Sequence, residues 1–279
     1  MISIFAKPPY LGNVYPEYAE GLSMHRLSSR IRGWEIAEHA GFKLNPTEGF
    51  ENDTRIWVKP AGLSVVQDGD WVDYLDRPRS SVRRCLKWRP KINLIAASEA
   101  SYDDLKSKLP NKVALIPSHH INFDREKRTR KGVTTCGYVG GFSPLAKEIY
   151  EEIATELKKI GIDFVTLFDF KERQDAIDLY KSIDILVVGS WKLKEPGPYK
   201  IPTKLINAAS FGIPSVAYPM LGYKEIEGYY TRANNMEELV EGVTKLKDES
   251  YYNAWSEKVS KMAEKYHISE ITKRYLELK

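Results

Sequence analysis

Two lysines around a helix start are the densest chemistry in this chain. In the stretch YKIPTKLINAASFGIPSVAYPMLGYKE, residues 199 to 225, Lys200 and Lys204 flank a helix that begins near Thr203 and stops at a Gly-x-Pro turn. Thr203 is the expected N-cap, so Lys204 stands in the first helical turn. A cation there opposes the helix dipole at a cost of up to roughly 1 kcal/mol. An anion bound between that lysine and the free N–H groups of the helix start removes the conflict; a solvated lysine whose cost is screened by water is the competing reading. Two more turns aim at the same place. Gly140-Gly141-Phe142-Ser143 lies between a strand and a helix, where glycines let the backbone come close to a diphosphate, although such a pair can also be only a turn. Gly222-Tyr223-Lys224-Glu225 follows a short apolar strand and opens a second helix start. Glu225 can accept from ribose or sugar hydroxyls, or it can cap its own helix.

The elements that must position these groups follow from periodicity. Strands are expected at MISIFAK, TRIWVKP, WVDYLD, INLIAAS and KVALIPS in the first half, and at VTTCGYVG, IDFVTLFDF, DILVVGS, PSVAYP and YYTRA in the second. The run DILVVGS is apolar enough to belong at a sheet centre. Helices alternate with them. In MHRLSSRIRGWEIAEHAG, with Ser23 as cap, Leu27, Ile31, Trp34 and Ala37 form an apolar stripe and Gly41 ends the helix; PLAKEIYEEIATELKKIG starts with Pro144 and stops at Gly161. The alternation predicts an α/β protein with two Rossmann-like domains facing across a crevice. Residues 1–120 form the first domain, 121–132 a polar linker, 133–247 the second domain, and 248–279 a helical tail packing back toward the first.

Composition excludes several classes. The 279 residues suffice for two cores, and no run is long and apolar enough to span a membrane. MISIFAKPPYLG is too soon broken by proline for a secretory signal, and Cys85 and Cys136 have neither disulfide-framework nor zinc spacing, which fits a reducing cytoplasm. The net charge of +4 permits a polyanionic partner without requiring one. The basic residues cluster at Arg26, Arg30 and Arg32, at 77–91, and at 125–131. They read either as solvated surface and linker or as a positive cleft for phosphate.

The order GYVGG, LYKSIDILVVGS, KIPTKLINAASFGIPSVAYPMLGYKE and NNMEELVEGVTKL resembles the nucleotide-sugar domain of GT-B glycosyltransferases, above all the retaining group numbered four. The resemblance covers residues 112 to 247, with the first domain matching in outline and IPSHHINFD similar to the crossing between domains. It implies a nucleoside-diphosphate sugar, a UDP-sugar in the first instance, as donor substrate with no tightly bound cofactor. The donor contacts it implies are Gly140, Gly141, Phe142, Lys200, Thr203, Lys204, Asn207, Gly222, Tyr223 and Glu225. The chain departs from the family's Glu-x7-Glu pair, because Asn207 stands where the second glutamate is usual. The K-P-x-x-K-L version without this pair, found in a branch of polysaccharide and phage enzymes, is the nearer resemblance and suggests a compact, phage-like type, and Glu225 becomes the substitute carboxylate.

The first domain is expected to bring the acceptor. The loop at Gly21 opens a helix carrying His25, Arg26 and Arg30, whose first N–H groups can bind phosphate or an acceptor oxygen. Asp73 and Asp76 are candidates for a base on the acceptor hydroxyl or for turn caps. His119 and His120 follow the fifth strand as hydrogen-bonding candidates, one inward and one outward, whereas His39 and His267 read as structural. Lys204 is the expected stabiliser of the departing diphosphate. No metal site is expected: Asp103-Asp104 is the nearest thing to a DxD motif and lies in a helix. Retention, with the β-phosphate oxygen taking the acceptor proton, follows from the resemblance. Two acceptor classes compete, namely hydroxymethylated pyrimidine in duplex DNA, with the base flipped into the crevice and Tyr10, Tyr15, Tyr18 and Trp88 available to stack, and a cell-surface polysaccharide or lipid-linked saccharide. A sugar-nucleotide epimerase, which would need paired carboxylates, and a non-catalytic binding module are the other readings. The oligomeric state is not legible.

Overall fold

The computed structural model describes residues 1–6, 27–60, 62–75, 78, 80–141, 143–168, 173–189 and 199–278. Gly21, His25, Arg26, Asp76 and Phe142 lie outside them, as do Ser23 and the tyrosines at 10, 15 and 18. Six parallel strands form the first sheet: β1 (Ile2–Phe5), β2 (Lys43–Leu44), β3 (Thr54–Val58), β4 (Trp71–Tyr74), β5 (Asn93–Ala96) and β6 (Val113–Leu115), in the order β2-β1-β3-β4-β5-β6. Five of these are the strands the periodicity predicts. β2 escapes it because two residues at a sheet edge carry no alternation; its register is Ser3 opposite Lys43.

The second sheet holds β7 (Thr135–Val139), β8 (Asp163–Leu167), β9 (Ile185–Val188), β10 (Ser215–Ala217) and β11 (Thr231–Arg232), all parallel, in the order β11-β10-β9-β7-β8. The central strand is β9, and all four of its residues are buried, as its unbroken apolar run requires. Helices cover both sheets: α1 (27–40), α2 (Ser80–Trp88), α3 (Glu99–Lys108), α4 (Pro144–Lys159), α5 (Arg173–Ser182), α6 (Thr203–Ser210), α7 (Met236–Lys245), α8 (Glu249–Ala263) and α9 (Ile268–Leu276). α4 starts as its sequence dictates, with the Ser143 hydroxyl accepting from Ala146 N–H and proline next.

α1 is where the regular pattern fails. Its middle, Arg30–Trp34, is a π-helical turn in which Glu35 N–H donates to Arg30 O, before the helix resumes as Glu35–Ala40 and ends on Gly41 in the left-handed region. The wider turn shifts the helix face by about one residue. Ile31 and Trp34, expected in the core, are half-buried, while Arg32, Gly33, Glu35, Ile36 and Ala37 are buried.

Arg32 can be buried because three segments supply its partners. Its Nε donates to Asp73 Oδ2 at 2.8 Å, and Nη1 donates to Ile116 O at 2.8 Å and Pro117 O at 2.7 Å. Tyr275 of α9 lies with its hydroxyl 3.5 Å from the same carboxylate oxygen and its ring under the guanidinium. Burial pushes the Asp73 carboxyl up and works against the Arg32 charge. The close contact opposes burial for both, and with two further carbonyls on Arg32 the ion pair is the form we assign. Ile268, Ile271, Tyr275 and Leu278 complete the first domain's core, so the end of the tail belongs there, whereas Val259, Met262 and Ala263 of α8 pack in the second domain. The second domain has its own charged hub. Asp184, fully buried ahead of β9, accepts from the backbone N–H groups of Thr134 and Thr135 and from Arg128.

Removing one partner of a buried pair strands the other charge. Asp73→Ala is expected to cost about 3–5 kcal/mol, and Tyr275→Phe no more than about 1.5 kcal/mol. Urea unfolding of both variants against the parent checks this; equal effects would show that Asp73 acts only through packing.

Candidate active site

A cavity of 330 Å³ opens between the two sheets, the size of an ordinary small-molecule site. Its second-domain wall is built at strand ends. Gly140 and Gly141 follow β7, Arg173 opens α5 after β8, and Lys200, Thr203, Lys204 and Asn207 come from the segment leading into α6. Gly140 is required by contact: a Cβ there would sit 2.4 Å from the Tyr138 hydroxyl and 2.8 Å from Lys204 Cε. Lys204 is half-buried, its ammonium 5.5 Å from the centre of the Tyr138 ring. It has no carboxylate partner among the described residues. Burial, with Lys200 adding to it, pulls its pKa from 10.5 down to about 7.

The start of α6 differs from expectation in a way that matters. The cap position is Pro202, not Thr203, and no side chain caps the helix. Proline offers no side-chain acceptor, so the N–H groups of the first turn lack a capping partner. Thr203 is the first helical residue, and its buried hydroxyl lines the cavity with no hydrogen-bond partner. Asn207 also lines the cavity, but its Oδ1 accepts from Ile121 N–H at 3.1 Å, tying α6 to the crossing between domains.

Several other expected residues stand elsewhere. Asp73 is 0% exposed and engaged by Arg32, so it faces no acceptor and serves as a structural anion. His119 does not line the cavity. Its Nδ1 lies 3.0 Å from His120 O and its Nε2 2.9 Å from Ile31 O, and burial lowers its pKa. His120 is buried as well, so neither imidazole points outward, and burial brings its pKa down to about 3. Glu225 lies across the domain seam: Oε2 accepts from Glu99 N–H at 2.7 Å and thereby holds the start of α3. Gly222 is there for packing, since a Cβ would fall 1.6 Å from Lys200 O; Tyr223 beside it does reach the cavity. The basic run 125–131 is divided: Arg128 and Arg130 pair with the buried Asp184, Arg125 pairs with Glu264 at the surface, and Lys127 and Lys131 are exposed.

The first-domain wall brings Arg30 and Arg32, both from the early basic cluster, together with Glu35 and Ser118, which the sequence did not mark. Across from them, Arg173 was likewise unmarked; its place at the head of a helix just after a strand was the available signal. Tyr199 closes one side, its ring buried in the first domain's core and its hydroxyl 2.7 Å from Asp104 Oδ2, which also pairs with Arg83 of α2. Five buried polar atoms on this one cavity have no hydrogen-bond partner: Arg32 Nη2, Glu35 Oε2, Ser118 Oγ, Arg173 Nε and Thr203 Oγ1. Native interiors rarely leave such groups unmade, so they mark places where a water or a ligand belongs. Among the described residues no group of three His, Cys, Asp or Glu side chains could hold a metal ion, and no helix is long and apolar enough to cross a membrane.

Two parallel α/β domains with a helical tail and a crevice between the sheets are the GT-B architecture of glycosyltransferases. Solved structures show the likeness. AviGT4, a glycosyltransferase involved in avilamycin A biosynthesis, is 12% identical and aligns over 99% of this chain and 96% of its own with a TM-score of 0.52. An alpha-glucosyltransferase in complex with UDP and a 13-mer DNA containing a HMU base is 13% identical over 86% of each chain, TM-score 0.54. TarM is 15% identical over 82% of this chain, TM-score 0.54, and this chain spans 50% of TarM's length. No family model and no curated protein matches the sequence.

Burial raises the Glu225 carboxyl from 4.5 to about 7. A pKa raised on folding gives stability that is present below the ordinary value and lost as pH rises through the raised one. Unfolding stability is therefore expected to fall between pH 4.5 and 7 relative to Glu225→Gln, measured by denaturant titration at each pH. Parallel profiles for the two proteins would rule the effect out.

Proposed function

We propose that the chain is a glycosyltransferase that takes a sugar from a nucleoside-diphosphate donor, a UDP-sugar in the first instance, and transfers it to an acceptor hydroxyl. The observation that carries this is the convergence of Lys200, Lys204, the Gly140-Gly141 turn and an uncapped helix start on one cavity. Cations and N–H donors at that place suit a diphosphate in the ground state, and suit it better as negative charge grows on the leaving oxygen. UDP bound to the alpha-glucosyltransferase and to the Anabaena protein HepE supports the choice of nucleotide. We assign the donor to residues 133–247 and the acceptor to residues 1–120, with 121–132 as the linker and 248–279 as the tail.

The proton follows from which groups are free. With Asp73 paired to Arg32 and both nitrogens of His119 facing carbonyl oxygens, neither takes the acceptor proton. The acceptor oxygen attacks the anomeric carbon, the bond from that carbon to the β-phosphate oxygen breaks, and the same oxygen accepts the proton from the acceptor on the same face. The configuration is then retained. An epimerase would need two facing carboxylates, whereas Glu35 is the one carboxylate lining the cavity among the described residues.

For the acceptor we propose hydroxymethylated pyrimidine in DNA. The support is the solvent face of α2, where Arg84, Lys87 and a tryptophan 84% exposed, Trp88, lie together, with Lys91 just beyond. Cations for phosphates and a ring for a displaced base are what such a substrate uses. A saccharide or lipid-linked acceptor is the outcome if DNA is not bound.

Lys204→Ala is expected to weaken UDP-glucose binding on the order of ten- to a hundredfold, the worth of a charge-assisted hydrogen bond. In the parent, UDP-glucose affinity should fall as pH rises above about 7, because the lysine must be charged to hold the diphosphate. Calorimetry on both proteins across pH tests the donor; an unaltered affinity in the variant removes Lys204 from it. Duplex DNA should be retarded on gels at low salt, with Lys87→Ala lowering the salt slope by about one and Trp88→Ala weakening binding at every salt concentration. No retardation at low salt removes the DNA acceptor.

A further inference from the structure

Lys204 and the Gly140 turn describe one end of the cavity; the groups at its other end have a different chemistry. Glu35 is 5% exposed, and its Oε1 accepts from Arg30 Nε at 3.2 Å. Its Oε2 has no hydrogen-bond partner. His119 Nε2 lies 3.4 Å from that oxygen but sits closer, at 2.9 Å, to Ile31 O. Ser118, also buried, lines the cavity with an unpartnered hydroxyl, and Arg173 reaches it from the other domain with an unpartnered Nε. The Arg173 guanidinium is fixed where it stands, 3.8 Å from the centre of the Phe123 ring and hydrogen-bonded to Ile121 O.

A carboxylate oxygen left bare in a protein interior costs the full desolvation of that oxygen. It is not an anion site, because a phosphate would be repelled by Glu35. It is not an apolar site, because Glu35, Ser118 and Arg173 line it. An acceptor at Glu35, a donor at Arg173 and a group able to do either at Ser118 match vicinal hydroxyls, each of which gives one hydrogen bond and takes others. The π-helical turn makes the arrangement possible: it brings Glu35 onto the buried side of α1, where a regular continuation of the Leu27, Ile31, Trp34 stripe would not.

We propose that Glu35, with Ser118 and Arg173, is the seat for the hydroxyls of the donor's sugar ring. This rests on the nucleotide-sugar reading of the cavity. The chain therefore supplies its sugar-side carboxylate from the first domain, while Asn207 of α6, uncharged, is occupied with Ile121 N–H. Binding of the sugar across both walls makes Glu35 a specificity-determining contact.

The test separates the sugar from the nucleotide. UDP, UDP-glucose, UDP-galactose and UDP-N-acetylglucosamine are titrated calorimetrically into the parent, Glu35→Gln and Ser118→Ala. The expected result is a loss of about tenfold in affinity of Glu35→Gln for the UDP-sugar the parent prefers, the scale of one hydrogen bond to a charged group. Affinity for UDP itself stays within about twofold, because UDP lacks the transferred sugar whose hydroxyls would make that contact. Ser118→Ala shifts the same ratio in the same direction by less, which covers the case that Glu35→Gln fails to fold. An equal loss for UDP and UDP-sugar, no loss for either, or a parent that treats the three sugars as it treats UDP overturns the assignment. Failure of UDP to bind the parent overturns the donor reading itself, and this seat with it.

Discussion

A single guanidinium determines how the first domain is put together. Arg32 is out of water, and every segment that satisfies it is thereby placed: α1 through its own backbone, β4 through Asp73, the exit from β6 through the Ile116 and Pro117 carbonyls, and α9 through Tyr275. An unpaired charge at such depth would cost several kcal/mol, so these four segments are ordered together or not at all. The position of the cavity's first wall follows. Arg30 and Glu35 stand at the ends of the same π turn that buries Arg32, and Ser118 is the residue after the second carbonyl it holds.

The second constraint is the seam between the domains. The start of α3 is held by Glu225, and Asp103 pairs with Lys224 at 2.8 Å. Tyr199, from the segment just before α6, is packed among first-domain side chains and hydrogen-bonds Asp104. Asn207 ties α6 to Ile121. The segment that carries Lys200 and Lys204 is therefore fixed to both domains. Lys204 keeps its half-buried place and lowered pKa because the surrounding framework holds it there.

Some of the charge in this protein is used inward. The basic run from 125 to 131 looks like a polyanion surface in a list of residues, yet Arg128 and Arg130 converge on the buried Asp184, and the exposed Arg125 is paired with Glu264. α2 is the contrast: Arg83 and Arg89 turn inward to Asp104 and to the Leu63 and Val66 carbonyls, while Arg84, Lys87 and Trp88 remain in solvent. Only cations of the second kind are available to a polyanionic partner.

Local pattern was enough to determine ten of the eleven strands among the described residues, the alternation with helices, the central place of β9, the proline start and glycine stop of α4, and a glycine turn and lysine pair on one wall of a crevice. These features depend on residues a few positions apart, where periodicity, propensity and turn chemistry act. Tertiary structure decided the rest. The π turn that sinks Arg32 and Glu35, the withdrawal of Asp73 and His119 from the crevice, the use of Glu225 as a cap across the seam, and the appearance of Arg173 in the site depend on partners far along the chain. Arg32 meets Asp73 at a separation of 41 residues and Glu225 meets Glu99 at 126. A charge's role is set by what desolvates it and what pairs with it, and neither is a property of its neighbours in sequence.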